Sequence, residues 1–200
     1  MALINVATRE IHCKVVYYGP GMGGKTSNLQ YIHTQVPKEA KGDLLSIATE
    51  TERTLFFDFL PLDLGTVGPK DRKFQVRFHL YTVPGQVLYE RTRTAVLNGA
   101  DGVVFVADSQ RSKMEENLKS LRELANNITK NLGKNFREFP IVLQYNKRDL
   151  KNIATIEELD RYLNPPAVNL GWQRFPAVAY TGEGVLDTLK AISKLVISKL

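Results

Sequence analysis

Eight residues near the N-terminus have the types and spacing of a phosphate-binding loop. In Gly19-Pro20-Gly21-Met22-Gly23-Gly24-Lys25-Thr26, two glycines flank four residues and are followed by lysine and threonine. The loop follows the apolar run Val15-Val16-Tyr17-Tyr18 and precedes a helical segment from Ser27 to Pro37. Glycines let backbone N–H groups turn inward around an anion, and the helix N-terminus adds its positive dipole end. The pattern therefore predicts a phosphate site; a chance glycine-rich turn is the alternative that the strand–loop–helix context argues against.

The last two residues of this loop have separate predicted roles. The Lys25 ammonium would bridge the β- and γ-phosphates and act in catalysis, and the Thr26 hydroxyl would ligate Mg²⁺. The residues expected to contact the nucleotide here are Gly19, Gly21, Met22, Gly23, Gly24, Lys25, Thr26 and Ser27.

A second motif, Asn146-Lys147-Arg148-Asp149, predicts which base is bound. A carboxylate at Asp149 can accept hydrogen bonds from N1–H and the exocyclic amine of guanine, whereas adenine offers neither donor and would leave it unpaired. Asn146 would tie this loop to the phosphate loop, and the stem of Lys147 would lie over the purine. In Val178-Ala179-Tyr180, the Ala179 N–H could donate to guanine O6. A polar turn that merely ends a strand is the alternative for the four-residue motif.

A hairpin is predicted between the two motifs. Over 73–81, one face carries Phe74, Val76, Phe78 and Leu80 and the other carries Gln75, Arg77, His79 and Tyr81; this period of two residues is that of a strand. The segment 54–60 is rich in phenylalanine, and Gly68-Pro69-Lys70-Asp71 between the two is a turn signal. The two segments therefore read as antiparallel strands.

The rest of the chain alternates between strand-like and helix-like segments. Residues 103–106 and 141–143 are short apolar runs typical of buried strands, and 177–179 is a weak last strand. Apolar residues recur at helical spacing in two segments, with inward positions Met114, Leu118, Leu121, Leu124, Ile128 and Leu132 in the first, and Leu186, Leu189, Ile192 and Leu195 in the second. We expect one α/β domain over 1–200, a P-loop NTPase fold with a six-stranded, mostly parallel sheet, its second strand antiparallel, and helices on both faces.

Composition limits the function classes. Of 200 residues, 43% are hydrophobic and 24% charged, which is globular composition. The net charge of +6 is spread along the chain without a dense run, so we expect a solvated basic surface and no nucleic-acid partner. The single cysteine, Cys13, is expected to be a buried thiol, and the first ten residues do not have the pattern of a signal peptide. These features predict a cytoplasmic protein.

The phosphate loop, Asn146–Asp149 and Pro84-Gly85-Gln86 together resemble Ras-like small GTPases. Within that family, the chain is similar to the bacterial MglA-type GTPases of gliding motility and cell polarity over nearly its whole length. The most specific stretches are Tyr17-Tyr18-Gly19-Pro20-Gly21, Thr51-Glu52-Arg53-Thr54-Leu55-Phe56-Phe57-Asp58-Phe59 and Thr82-Val83-Pro84-Gly85-Gln86. The resemblance implies a Ras-like G domain that binds GTP or GDP with Mg²⁺.

The resemblance also implies roles in two switch loops. Gln86 would position the attacking water beside Gly85 at the nucleotide, and Thr54 would contact Mg²⁺ and the γ-phosphate only in the triphosphate state. Arg53 would be an arginine finger supplied in cis. A solvent-facing arginine on a mobile loop is the alternative that the residues alone favour.

Partners are implied in the same way. The resemblance implies a small dimeric roadblock-type (MglB-like) GTPase-activating protein and polarity or motility effectors, with possible recruitment to a cell pole. The C-terminal Ser198-Lys199-Leu200 matches a peroxisomal address, which we treat as chance in a bacterial family. There is no C-terminal cysteine for prenylation, so no direct membrane anchor is expected.

One position departs from the wider Ras pattern. Thr82 stands where that pattern has an aspartate that holds Mg²⁺ through water, as it does in MglA-type proteins. The predicted hairpin places Phe57 and Asp58 opposite Thr82 and Tyr81, within roughly 5 Å. Asp58 is therefore a candidate substitute metal ligand through water, and a carboxylate that caps a polar neighbour is an equal alternative.

We expect a GTP-hydrolysing switch in which the γ-phosphate and Mg²⁺ order residues 37–54 and 84–94. Two rivals remain open at this point. An ATP-type phosphotransferase is disfavoured by Asp149, and a module that holds nucleotide without turnover is made plausible by Thr82.

Overall fold

The computed structural model describes residues 2–47, 57–69, 73–84, 90–168 and 170–200. The strands are β1 (Leu3–Asn5), β2 (Glu10–Tyr18), β3 (Leu45–Ile47), β4 (Phe57–Val67), β5 (Phe74–Thr82), β6 (Gly102–Asp108), β7 (Ile141–Asn146) and β8 (Gln173–Pro176). The helices are α1 (Lys25–Gln35), α2 (Glu90–Leu97), α3 (Met114–Asn126), α4 (Ile156–Leu163) and α5 (Val185–Ile197).

The strands form one sheet in the order β3-β4-β5-β2-β6-β7-β8. Strands β5, β2, β6, β7 and β8 run parallel, and β4 is antiparallel to β5. The predicted α/β class and the antiparallel second main strand are confirmed. Two short strands add to the six expected, because β1 pairs with β2 and β3 pairs with β4, both antiparallel.

The hairpin of β4 and β5 is confirmed, but its predicted register is wrong by one residue. Phe59, not Asp58, faces Tyr81, and Leu60 faces Leu80. This register pairs buried apolar residues with each other, whereas a slip of one residue would set Leu60 against His79 and reverse the faces. Nearer the turn, the pairing register shifts at a bulge between Asp63 and Thr66.

Helices cover both faces of the sheet. On one face, α1 and α5 bury Leu29, Ile32, Val185, Leu189, Ile192 and Val196 against the strands. On the other, α2, α3 and α4 bury Val96, Leu97, Leu121, Leu124, Leu159 and Leu163. The two layers hold the carboxyl ends of the parallel strands at one edge, where α/β folds place ligands.

Two predicted boundaries and one predicted core position differ from the structure. Helix α1 begins at Lys25, and the last strand is β8, so 177–179 lies just beyond it. Leu186 is 44% exposed, and Val185 takes its place in the core. The predicted positions of α5 were three residues apart, and that spacing drifts around a helix of 3.6 residues per turn. No helix within the described ranges is both long and apolar enough to cross a membrane.

Candidate nucleotide-binding site

The phosphate loop has a backbone that glycine alone can adopt at two points. Gly19 and Gly24 have φ of +140° and +98°, and a Cβ at either would lie 2.2 Å from a neighbouring atom. That neighbour is the Val106 carbonyl oxygen for Gly19 and the Asn146 amide nitrogen for Gly24. The glycines therefore let the loop lie close against both β6 and the Asn146 loop. Helix α1 begins directly after Gly24, so its first N–H groups point into this loop.

Lys25 is folded into the loop. Its side chain is buried, and Nζ donates to the carbonyl oxygens of Gly19 at 3.1 Å and Pro20 at 2.6 Å. Burial lowers the pKa of Lys25 to about 8; the charge of Arg93 acts in the same direction, and that of Asp58 opposes them. The Lys25 side-chain nitrogen therefore lies inside the loop in which the pattern predicts phosphates.

Asp58 gathers three hydroxyl groups beside the loop. Its Oδ2 accepts from Thr26 Oγ1 at 2.6 Å and from Thr82 Oγ1 at 2.9 Å, and its Oδ1 accepts from Ser46 Oγ at 2.7 Å. The Asp58 backbone N–H donates to Thr82 Oγ1 at 2.8 Å. The carboxylate thus contacts the hydroxyl that the sequence assigns to Mg²⁺, and it also caps Thr82, as the alternative interpretation expected.

The donor set suits Mg²⁺ bound with a nucleotide. Thr26 and Asp58 supply oxygen donors, which Mg²⁺ prefers. Among the described residues there is no cluster of three or more His, Cys, Asp or Glu side chains that could hold a metal by themselves. A cation here would therefore need water and phosphate oxygens to complete its shell, which is how Mg²⁺ binds in nucleotide sites.

Asn146 joins three loops. Its Nδ2 donates to the Gly23 carbonyl at 2.8 Å, and its Oδ1 accepts the Ala179 N–H at 2.8 Å. The predicted tie from Asn146 to the phosphate loop is present. The Ala179 N–H, which the sequence assigned to guanine O6, is already engaged by Asn146, because the loop after β8 packs directly onto the end of β7.

These loops enclose a cavity of about 230 Å³ beside the phosphate loop. Its lining residues are Met22, Gly24, Ser27, Asn146, Lys147, Asp149, Leu150, Val178, Ala179 and Tyr180. Met22 and Tyr180 are each 90% exposed. Seven of the predicted contacts with the nucleotide therefore come together here, at the N-terminal end of α1 and after β7 and β8: Met22, Gly24, Ser27, Asn146, Lys147, Asp149 and Ala179.

Sequence reasoning assigned no role to Asp108, to Arg93 or to Tyr180, which lines the cavity. Asp108 is buried and accepts a hydrogen bond from Lys147 Nζ at 2.6 Å. A signal was available, because an aspartate that ends an apolar strand beside the strand of Asn146 lies at the same sheet edge. For Arg93 the sequence carries no such signal, because only folding brings it to Glu123. Arg93 Nε lies 2.5 Å from Glu123 Oε1.

The predicted residues Arg53, Thr54, Gly85 and Gln86 lie outside the described residues, and their roles stay predictions. The structure does describe the chain just before Gly85, where the Pro84 carbonyl accepts from Arg93 at 3.2 Å. Gly21 lies beside this arginine, in a small recess shared with Glu123.

Comparisons with known proteins agree with this geometry. A family model described as ADP-ribosylation factor family matches residues 64–196. Mutual gliding-motility protein MglA of Myxococcus xanthus (strain DK1622) is 54% identical over 200 residues, which is 100% of this chain and 98% of that protein. Human ADP-ribosylation factor-like protein 4A is 26% identical over 126 residues, 62% of this chain and 60% of that protein. ADP-ribosylation factor-like protein 6 of Caenorhabditis elegans is 27% identical over 121 residues, covering 58% of this chain and 60% of that protein.

The family model covers the end of β4, all of β5, the Asn146 loop and most of α5, and the Myxococcus relative extends the match through the phosphate loop. The chain therefore belongs to the ADP-ribosylation factor family of Ras-like small GTPases, as an MglA-type member, and is a GTPase.

Proposed function

We propose that this GTPase binds GTP and GDP between the phosphate loop and the Asn146 loop. The observation that carries the proposal is the pair of hydrogen bonds at Asn146, which donates to Gly23 and accepts from Ala179. They join the loop that would hold phosphates to the cavity wall that carries Asp149. A base on Asp149 and phosphates on Lys25 would then belong to one nucleotide.

Mg²⁺ would bind at Thr26, with Asp58 acting through water and Thr54 joining in the triphosphate state. The contact of 2.6 Å between Thr26 Oγ1 and Asp58 Oδ2 supports this arrangement. When bound, the ion would neutralise charge on the β- and γ-phosphates. Asp58 would orient the Thr26 hydroxyl, and Lys25 would hold the phosphates.

Turnover would depend on Gln86 and Arg53 and would be slow without an activator. A roadblock-type dimeric protein would press residues 37–54 and 84–94 onto the γ-phosphate, and polarity or motility effectors would bind the GTP state. The similarity to a protein named for gliding motility supports this cellular role. Partners would carry the protein to its place in the cell.

Single-turnover hydrolysis of GTP and ATP, with and without a cell extract, tests the proposal. GTP should be bound and slowly hydrolysed, the extract should accelerate the reaction, and excess ATP should not compete. Gln86→Leu removes the group that orients water, and Gly21→Val adds a side chain beside the γ-phosphate. Both should retain stoichiometric GTP in chromatography of the bound nucleotide.

A matched control is Gln30→Leu, which makes the same replacement at an exposed position of α1. It should hydrolyse GTP as the parent does. ATP binding as tight as GTP binding would contradict the base assignment. Diphosphate on Gln86→Leu, formed as fast as on the parent, would contradict the role of Gln86.

A further inference from the structure

We infer that Asp108 is a positioning residue for the base pocket: it anchors the Lys147 side chain along the pocket wall, and this anchor prolongs nucleotide residence. The inference rests on the proposed nucleotide site. It adds a residue that belongs to neither of the two sequence motifs.

The anchor is a buried ion pair. Lys147 Nζ lies 2.6 Å from Asp108 Oδ2, and the two side chains are 25% and 1% exposed, respectively. A carboxylate so deeply buried needs a partner, because burial of an unpaired charge is strongly unfavourable. The pair therefore holds the ammonium at one place, while the lysine stem runs along the cavity that Asp149 also lines.

Asp108 is itself held rigidly. Gln110 donates to its Oδ1 from the backbone N–H at 3.0 Å, and the Gln110 side-chain amide contacts both carboxylate oxygens at 3.2 and 3.1 Å. The fully buried Asn117 side chain binds the Asp108 backbone on both sides, accepting its N–H at 2.9 Å and donating to its carbonyl at 2.8 Å. A carboxylate fixed at this many points can fix the lysine in turn.

The backbone of Lys147 is also unusual. Its φ is +65°, a left-handed conformation that non-glycine residues adopt at a cost. Such a conformation persists only where the surroundings over-determine it. Asn146, which precedes Lys147, pairs with Asp108 across β7 and β6. The backbones of Lys147 and Asp108 are therefore close together at the same edge of the sheet.

A flat base bound against the Lys147 stem would gain from this order. A free lysine must lose rotamer freedom when the base binds, whereas an anchored lysine has lost it already. Asp108→Asn keeps the shape and weakens the anchor. We expect it to raise the dissociation rate of fluorescent (mant) GDP roughly five- to tenfold, with little change in the association rate.

Lys147→Met tests the same link from the other side, because it keeps an apolar stem and removes the ammonium. It should raise the dissociation rate by a similar factor, and Asp108→Asn should add nothing in the Lys147→Met background. The effect of Asp108→Asn should also be equal for GDP and inosine diphosphate, since the stem contacts the ring face. Asp149→Ala, in contrast, should harm GDP more, because only guanine has the exocyclic amine.

The matched control is Asp160→Asn, which replaces a carboxylate of α4 that pairs with Arg174 at 2.7 Å and does not line the pocket. It should leave mant-GDP dissociation unchanged. A parent-like rate in Asp108→Asn, or an undiminished effect of Asp108→Asn in the Lys147→Met background, overturns the inference. If Asp108→Asn does not fold, a parent-like rate in Lys147→Met overturns it equally. A parent protein that binds no mant-GDP contradicts the proposed function instead.

Discussion

Asp58 and Thr82 exchange two hydrogen bonds across the β4–β5 hairpin. The Asp58 N–H donates to Thr82 Oγ1 at 2.8 Å, and Thr82 Oγ1 donates to Asp58 Oδ2 at 2.9 Å. An aspartate at position 82, as in the wider Ras pattern, would face Asp58 at hydrogen-bond distance, and two such carboxylates repel. With threonine at position 82, Asp58 on β4 is the carboxylate at this point, and it accepts a hydrogen bond from Thr26.

Asp58→Asn should therefore weaken the Mg²⁺ dependence of nucleotide retention. An amide has no charge to offer metal-bound water, so the Mg²⁺ concentration for half-maximal retention of mant-GDP should rise roughly tenfold or more. Asp63→Asn on the same strand is the control, because Asp63 contacts Gln75 and not the Thr26 hydroxyl. An unchanged Mg²⁺ requirement in Asp58→Asn would contradict the metal role and leave this carboxylate as an acceptor for neighbouring hydroxyl groups.

Asp149→Asn should change the base preference. The amide reverses one donor and acceptor, so GTP binding should weaken by about 2–4 kcal/mol while xanthosine triphosphate binding improves. Competition titrations against mant-GDP measure both affinities. Asp187→Asn, on the exposed face of α5, should bind both nucleotides as the parent does. GTP affinity equal to the parent's would refute the guanine assignment.

Arg53→Ala should abolish activator-stimulated hydrolysis without abolishing activator binding. An arginine at the γ-phosphate is worth roughly 10³–10⁵ in rate, and the proposal places it in this chain. Alanine replacements of the activator's own interface arginines should leave stimulation within a few-fold of normal. One indispensable activator arginine, together with full stimulation of Arg53→Ala, would show that the finger comes in trans.

Glu123→Ala should destabilise the protein far more than the loss of an exposed ion pair does. Glu123 is paired with Arg93, whose side chain is only 4% exposed, and removing one partner of a buried pair costs about 3–5 kcal/mol. Glu116→Ala is the control on the same helix, because its pair with Lys113 is exposed to solvent and its loss should cost far less. Urea unfolding compares the two, and similar losses would mean that the Arg93 pair adds little.

The stability of the nucleotide-free protein should rise with pH above about 8 through Lys25. The pKa of Lys25 is lowered by burial from 10.5 to about 8, so between these values the unfolded chain binds more protons than the folded one. The free energy of unfolding then increases with pH in that window and falls as pH drops through 8. The parent, compared with Lys25→Met by urea unfolding from pH 7.5 to 9.5, should show the steeper rise.

Motif chemistry and the class of the fold could be predicted from sequence because they depend on local pattern. The phosphate loop needs small residues at fixed spacing, and Gly19 and Gly24 do have the positive φ that the pattern implies. The alternation in β5 and the apolar runs of β6 and β7 likewise report burial directly. Those features determine the fold class and where Asn146 and Lys25 must lie.

Contacts between distant segments were decided only by the tertiary structure. The bulge at Asp63 and the pairing of Leu60 with Leu80 set the hairpin register, and that register places Asp58 against Thr82. Asp108 and Lys147, 39 residues apart in the chain, are partners because β6 and β7 end side by side. Sequence spacing encodes which face a residue occupies, but side-chain packing across strands and helices selects the partner it meets there.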